Sequence, residues 1–249
     1  MKAMIFAAGL GTRLKPLTDS IPKALVEVAG KPLIQHVLEK TAAAGADGIV
    51  VNVHHFPQMI CDWIETHPQK VPVMVSDESG CLLETGGGIR HARPLLCPEG
   101  PCGEGFLVHN VDILSNLDIR DFVSEVRPSD LATLVVSDRK SGRCLLFDDD
   151  MLMLGWKNLK TGEVRSPYPA SRLEGCRELA FAGIHHISDS IFGLFEERKV
   201  SDRFSITDFY IDVCARCQIR GYVPEGFRMM DVGKIDVLSE AEAFCRDLV

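Results

Sequence analysis

An apolar run, Met4-Ile5-Phe6-Ala7-Ala8, leads into Gly9-Leu10-Gly11-Thr12-Arg13-Leu14-Lys15-Pro16-Leu17-Thr18 and then Ile21-Pro22-Lys23-Ala24-Leu25. Glycines directly after a strand let backbone N–H groups approach phosphate oxygens with no Cβ in the way. Arg13 can fork onto two phosphate oxygens, and Lys23 is a movable point charge whose position Pro22 restricts. Holding a nucleoside triphosphate is the chemistry these residue types suit. Two other phosphate motifs are excluded. No Gly-Lys-Ser/Thr follows Gly9 or Gly11 at P-loop spacing, and the third glycine of a dinucleotide fingerprint falls on Leu14. Gly9-Leu10-Gly11 alone also suits a tight strand-to-loop turn.

Candidate carboxylates lie far downstream. Asp112 ends Leu107-Val108-His109-Asn110-Val111-Asp112, where it either faces a crevice beyond a buried strand or caps a turn before Ile113-Leu114. Asp231, in Arg228-Met229-Met230-Asp231-Val232-Gly233-Lys234, is a second acid or an N-cap for the last helix, a role for which Asp236 and Ser239 compete. Glu84-Thr85-Gly86-Gly87-Gly88-Ile89 places three glycines at a helix entry, at a cost of about 1 kcal/mol each in a helix interior. Close approach of a nucleobase explains them, as does a loop capped by Thr85. Asp148-Asp149-Asp150 reads as a solvated hairpin turn, and Cys214-Ala215-Arg216-Cys217 as helix packing without a second zinc-type pair. His54-His55 and His185-His186 are adjacent pairs that face opposite sides of a strand, so they make poor joint metal ligands.

The string Gly9-x-Gly11-Thr12-Arg13-Leu14, Pro16-Leu17-Thr18, Pro22-Lys23 and Gly30-Lys31-Pro32 resembles the N-terminal signature of the sugar-phosphate nucleotidyltransferases, the pyrophosphorylases that make nucleotide sugars. The resemblance spans nearly the whole chain. It implies Mg²⁺-dependent transfer of a nucleoside monophosphate from an NTP to a sugar 1-phosphate, with release of pyrophosphate. Ala8, Gly9, Gly11 and Thr12 would contact substrate, Arg13 would hold the β- and γ-phosphates, and Lys23 would support the α-phosphate. Asp112 and Asp231 would bind Mg²⁺, and Asn110, Glu84, Thr85 and Gly86 would line the nucleotide site. Glu178 and Gly183, in Glu178-Leu179-Ala180-Phe181-Ala182-Gly183-Ile184, resemble the family strand lining the sugar pocket, although a glycine in a strand also marks a bulge. Val111 stands where the family usually has glycine, and Lys234 where it usually has threonine. Leu83 to Ile89 is similar to the bacterial N-acetylmuramic acid 1-phosphate uridylyltransferases and to mannose 1-phosphate guanylyltransferases. UTP with N-acetylmuramic acid 1-phosphate leads; the alternatives are GTP with mannose or heptose 1-phosphate, CTP with phosphocholine, and a regulatory subunit that binds nucleotide without catalysis.

Positioning such residues takes a parallel sheet. Strand-like runs at 3–7, 48–53, 71–75 and 105–109 alternate with helical patterns at 33–44, 59–66 and 87–95, which predicts a Rossmann-like, mostly parallel mixed sheet flanked by helices. Ligands in such sheets sit beyond the carboxyl ends of the strands. Consecutive short strands at 131–137, 143–147 and 151–154, a Gly/Pro-rich excursion over 158–177 and a strand at 178–187 predict a small β-rich insertion on the acceptor side. Helical patterns at 190–197, 205–217 and 236–247 and a short strand near Tyr222 complete one domain over 1–249, with no room for a C-terminal β-helix. The net charge of −8 and pI near 5.5 argue against a nucleic-acid surface. No apolar stretch suits a membrane span, no signal-peptide pattern opens the chain, and nine scattered cysteines suit a reducing compartment. A cytoplasmic monomer or small homo-oligomer is expected.

Overall fold

The computed structural model describes residues 1–100 and 103–247. Strands β1 (Lys2–Phe6), β4 (Gly48–Val53), β5 (Val73–Asp77) and β6 (Phe106–Asn110) form a parallel core in the order β6-β1-β4-β5. All six residues of β4 are buried, as expected of a strand covered on both faces. The period-two alternation of β1 divides two cores: Ala3 and Ile5 pack with helix α1 (Leu33–Ala43), and Met4 with helix α3 (Glu84–His91) and α4 (Arg93–Leu96). Helix α1 buries Leu33, Ile34, Val37, Leu38 and Thr41, a stripe at helical spacing. A short pair, β2 (Glu27–Val28) and β3 (Lys31–Pro32), precedes it, and α2 (Pro57–Thr66) opens with proline at its first turn.

Beyond β6 the chain becomes antiparallel. After β7 (Ile113–Ser115) and α5 (Ile119–Ser124), β8 (Asp130–Ser137), β9 (Arg143–Phe147), β10 (Met153–Asn158), β11 (Val164–Arg165) and β12 (Arg177–Ile187) extend the sheet to nine strands, and a tenth from later in the chain joins parallel to β8. The long β12 pairs with β6, β8 and β9, so it joins the parallel core to the β9-β10-β11 extension. Helices α6 (Ile191–Glu197) and α7 (Ile206–Val213) follow, then β13 (Gln218–Tyr222), β14 (Met229–Asp231) and α8 (Leu238–Asp247). Among the described residues, no helix is long and apolar enough to cross a membrane.

Several expectations shift. Strand β5 lies two residues later than its apolar run, and β10 begins at Met153 because Met151 turns with φ 61°. Helix α7 stops at Val213, so Cys214 and Cys217 lie beyond it rather than on its face. The predicted 87–95 helix begins earlier, at Glu84, and breaks at Ala92. The pair β7 and β14 has no sequence counterpart; three residues are too few for alternation to show. The acid triplet is a turn, with Asp148 Oδ1 accepting from the Asp150 and Leu152 N–H groups at 3.1 and 2.9 Å.

The register of β12 shifts between Phe181 and His185, and Gly183 occupies that bulge with φ 73°. A Cβ there would lie 2.5 Å from Asn110 Nδ2. Gly183→Ala is therefore expected to cost about 1–3 kcal/mol in urea unfolding; wild-type stability in that variant would contradict this reading. Burial also pushes the His185 and His186 imidazoles down, to about 3 and about 4. Both are neutral in the fold, so on acidification the unfolded chain binds protons first. Their stabilisation is complete above about pH 6.5 and falls toward pH 4, by up to about 1.4 kcal/mol per pH unit each. His186→Gln should flatten the fall in urea midpoint between pH 6.5 and 4.5, and an unchanged slope would count against it.

Candidate functional site

The loop leaving β1 is held from beneath by a polar residue in an otherwise apolar strand. Asn52 of β4, 2% exposed, accepts at Oδ1 from the N–H groups of Ala7 and Ala8, at 2.8 and 3.3 Å. Its Nδ2 donates to Glu78 Oε1 at 2.7 Å, just past β5. Gly11 turns with φ 62°, and a Cβ there would lie 2.8 Å from Thr18 Cγ2, while the Thr18 hydroxyl donates to Gly11 O at 2.8 Å. Gly9 faces open space. Ala8, Gly9, Lys23, Asn110 and Asp112 share the lining of a cavity of about 210 Å³. It lies beyond the carboxyl ends of β1, β4 and β6, where an α/β sheet receives ligands.

Charge converges on that edge. Lys23 is 9% exposed and its Nζ donates to Asp112 Oδ2, an ion pair between the loops that follow two neighbouring strands. The ribbon β7-β14 brings in the second acid. Asp231 stands opposite Ile113, and the Val232 N–H donates to Asp112 O at 2.8 Å. A Cβ on Gly233 would lie 2.7 Å from both Arg13 Nη2 and Asp231 Oδ1, so the glycine after Asp231 admits the arginine. Neither Arg13 nor Asp231 forms an ion pair among the described residues. Asp231 lies in β14 and Asp112 in the turn between β6 and β7, so neither caps a helix. Val111 makes its tight turn without positive φ, its N–H donating to Phe6 O at 3.2 Å, and Lys234 is exposed beside the final 3₁₀ turn.

Glu84 and Thr85 line the same cavity at the start of α3. Glu84 has φ 61° and its Oε1 accepts from Arg203 Nε at 3.0 Å. Thr85 Oγ1 accepts from the Ile206 N–H at 2.9 Å, tying α3 to α7. The glycine triplet serves the chain itself. The missing Cβ of Gly86 leaves space for the Phe204 ring, that of Gly87 for the Asp202 carbonyl, and that of Gly88 for Glu78 and Asn52. Thr12 is exposed in a 3₁₀ turn, and Glu178 accepts from Lys157 Nζ at 2.6 Å; neither residue lines the cavity.

Sequence reasoning passed over Asn52 and Glu78. A signal existed for Asn52, the one polar side chain in Gly48-Ile49-Val50-Val51-Asn52-Val53. Burial raises the Glu78 carboxyl, and Glu78 Oε2 has no hydrogen-bond partner among the described residues. The donor set also fits Mg²⁺, a hard cation that often takes one or two carboxylates and completes its shell with phosphate oxygens and water. Asp112 and Asp231 are such carboxylates, whereas no group of three or more His, Cys, Asp or Glu residues able to hold a metal occurs among the described residues. Cationic side chains, loop amides and two acids at one strand edge can hold a polyphosphate and neutralise charge as a phosphoryl bond is exchanged.

Residues 2–142, more than half of the chain, match the nucleotidyl transferase family model. The chain is 35% identical to the N-acetylmuramate alpha-1-phosphate uridylyltransferase of Caulobacter vibrioides over 248 residues, covering 97% of this chain and 95% of that protein. It is 34% identical to mannose-1-phosphate guanylyltransferase 1 of Arabidopsis thaliana over 124 residues, 49% of this chain and 34% of that one. In fold it is similar to the crystal structure of HddC from Yersinia pseudotuberculosis, with a TM-score of 0.75 at 23% identity over 98% and 99% of the two chains. With the glycine loop, the paired Lys23 and Asp112 and the Asp231 ribbon on one strand edge, the chain belongs to the nucleotidyl transferase family and is a sugar-phosphate nucleotidyltransferase.

Proposed function

We propose that the chain transfers uridylyl from UTP to N-acetylmuramic acid 1-phosphate, giving the UDP-sugar and pyrophosphate. The convergence of Lys23, Asp112, Asp231 and Arg13 beside the Gly9 loop carries the chemistry. The full-length similarity to a uridylyltransferase of that sugar supports the substrates. In this reading Arg13 clamps the β- and γ-phosphates, and Lys23 turns from Asp112 toward the α-phosphate. The Ala7 and Ala8 backbone, fixed through Asn52, and Gly9 after it lie beneath the nucleotide. Asp112 and Asp231 hold Mg²⁺, which supplies charge neutralisation at the phosphates. An oxygen of the sugar 1-phosphate attacks the α-phosphorus in line. The bond from the α-phosphorus to its bridging oxygen breaks and pyrophosphate leaves with the electron pair. The nucleophile is already ionised, so no general base is needed.

A guanylyl reading is favoured by one feature. Glu78 lines the cavity and its carboxylate is an acceptor, and the guanine edge offers two N–H donors where uracil offers one. Pyrophosphate release with Mg²⁺ across UTP, GTP, CTP, ATP and dTTP, each with a panel of sugar 1-phosphates, separates the two readings. Release confined to UTP and N-acetylmuramic acid 1-phosphate is expected; release with GTP and mannose or heptose phosphate would move the chain to the guanylyl branch. Asp112→Asn, Asp231→Asn and Lys23→Ala should each lower turnover on the order of 100-fold or more, the scale of losing one preorganised charge partner. Normal turnover in a folded variant removes that residue from the site.

A further inference from the structure

A second cleft, of about 540 Å³, opens beside the nucleotide cavity, and Arg143, Trp156, Arg165, Phe181, Ser205 and Asp208 line it. Two links connect them. Thr85 lines the first cavity and accepts from the N–H of Ile206, whose neighbour Ser205 lines the second. Phe181 lines the second, and two residues further along β12 Gly183 lies against Asn110 of the first. These links place the cleft within reach of a molecule whose phosphate sits at Lys23.

The cleft presents apolar faces and guanidinium groups together. Arg165 lies opposite Trp156 in the β10-β11 register, with its Cζ 5.9 Å from the ring centroid. Its Nη1 donates to Asp208 Oδ1 at 2.8 Å, which orients the guanidinium and leaves Nε and Nη2 without a hydrogen-bond partner among the described residues. Arg143, on β9, forms no ion pair among the described residues. The acids Asp208 and Glu163 on the same wall are acceptors suited to sugar hydroxyls. Stacking surface, hydroxyl acceptors and an oriented arginine fork are the complement of a sugar that also carries a carboxylate.

We infer that Arg165, oriented by Asp208 and assisted by Arg143, reads a carboxylate on the acceptor sugar and makes this chain selective for acidic sugar 1-phosphates. The inference rests on the acceptor proposed above, whose lactyl ether carries that carboxylate. An ionised hydrogen-bonded partner is worth about 10- to 100-fold in selectivity.

The test uses the full chain at saturating UTP and compares N-acetylmuramic acid 1-phosphate with its lactyl carboxamide, which has the same shape without the charge. The wild-type kcat/KM should favour the acid by about 10- to 100-fold. Arg165→Gln should lose most of that preference, and Arg143→Gln part of it, through KM for the acid while KM for UTP stays unchanged. Equal use of acid and amide by the wild type would overturn the inference and leave the uridylyl reading standing. So would an Arg165→Gln variant whose rates with the two acceptors fall by the same factor. Turnover of neither acceptor by the folded wild type would overturn both.

Discussion

A lysine buried at a strand edge needs a partner, and Lys23 has one only because β1 and β6 are neighbours in a parallel sheet. Removing either charge would leave the other uncompensated in a low-dielectric wall. The pair thus holds the loop after β1 against the turn after β6 while the site waits for substrate. Both members are suited to being exchanged. A phosphate can take the ammonium and a hard cation the carboxylate, with little change in the total charge of the wall.

The rest of the site is built to keep that pair in register. Asn52 ties the loop amides to β4 and passes the connection on to Glu78 beyond β5, so three parallel strands share one polar link. The β7-β14 ribbon brings Asp231 to Asp112 through a backbone hydrogen bond rather than through side chains. Glycines are used where the chain crowds itself. Gly86 and Gly87 admit the segment before α7, Gly183 admits Asn110, and Gly233 admits Arg13. Gly9 differs from these, with nothing within 4 Å of its absent Cβ.

The antiparallel half has a different task. By pairing with β6, β8 and β9 along its length, β12 connects the Trp156 and Arg165 hairpin to the strand edge that carries Asn110. In the proposed reading the parallel half carries the chemistry common to phosphoryl transfer, and the hairpin carries the groups that would distinguish acceptors. Fold alone does not settle a substrate, and the residues able to do so here lie on the most irregular part of the chain.

Much of this was legible in the residues themselves. Local pattern determined the parallel core, because a six-residue apolar run such as Gly48 to Val53 suits a strand buried on both faces. The Gly9 to Lys23 string and the two acids Asp112 and Asp231 could be singled out for the same local reason, since the residue types suited to phosphates and hard cations are few, and the fold brings them to one strand edge. Only tertiary structure decided that Lys23 pairs with Asp112, that Glu84 and Thr85 face the cavity while Gly86 packs against Phe204, and that Glu178 joins Lys157. The β7-β14 ribbon and the Arg165 cleft were also settled there. Each depends on a partner tens of residues away, and neither the spacing nor the propensity of a short segment records which distant segment will lie beside it.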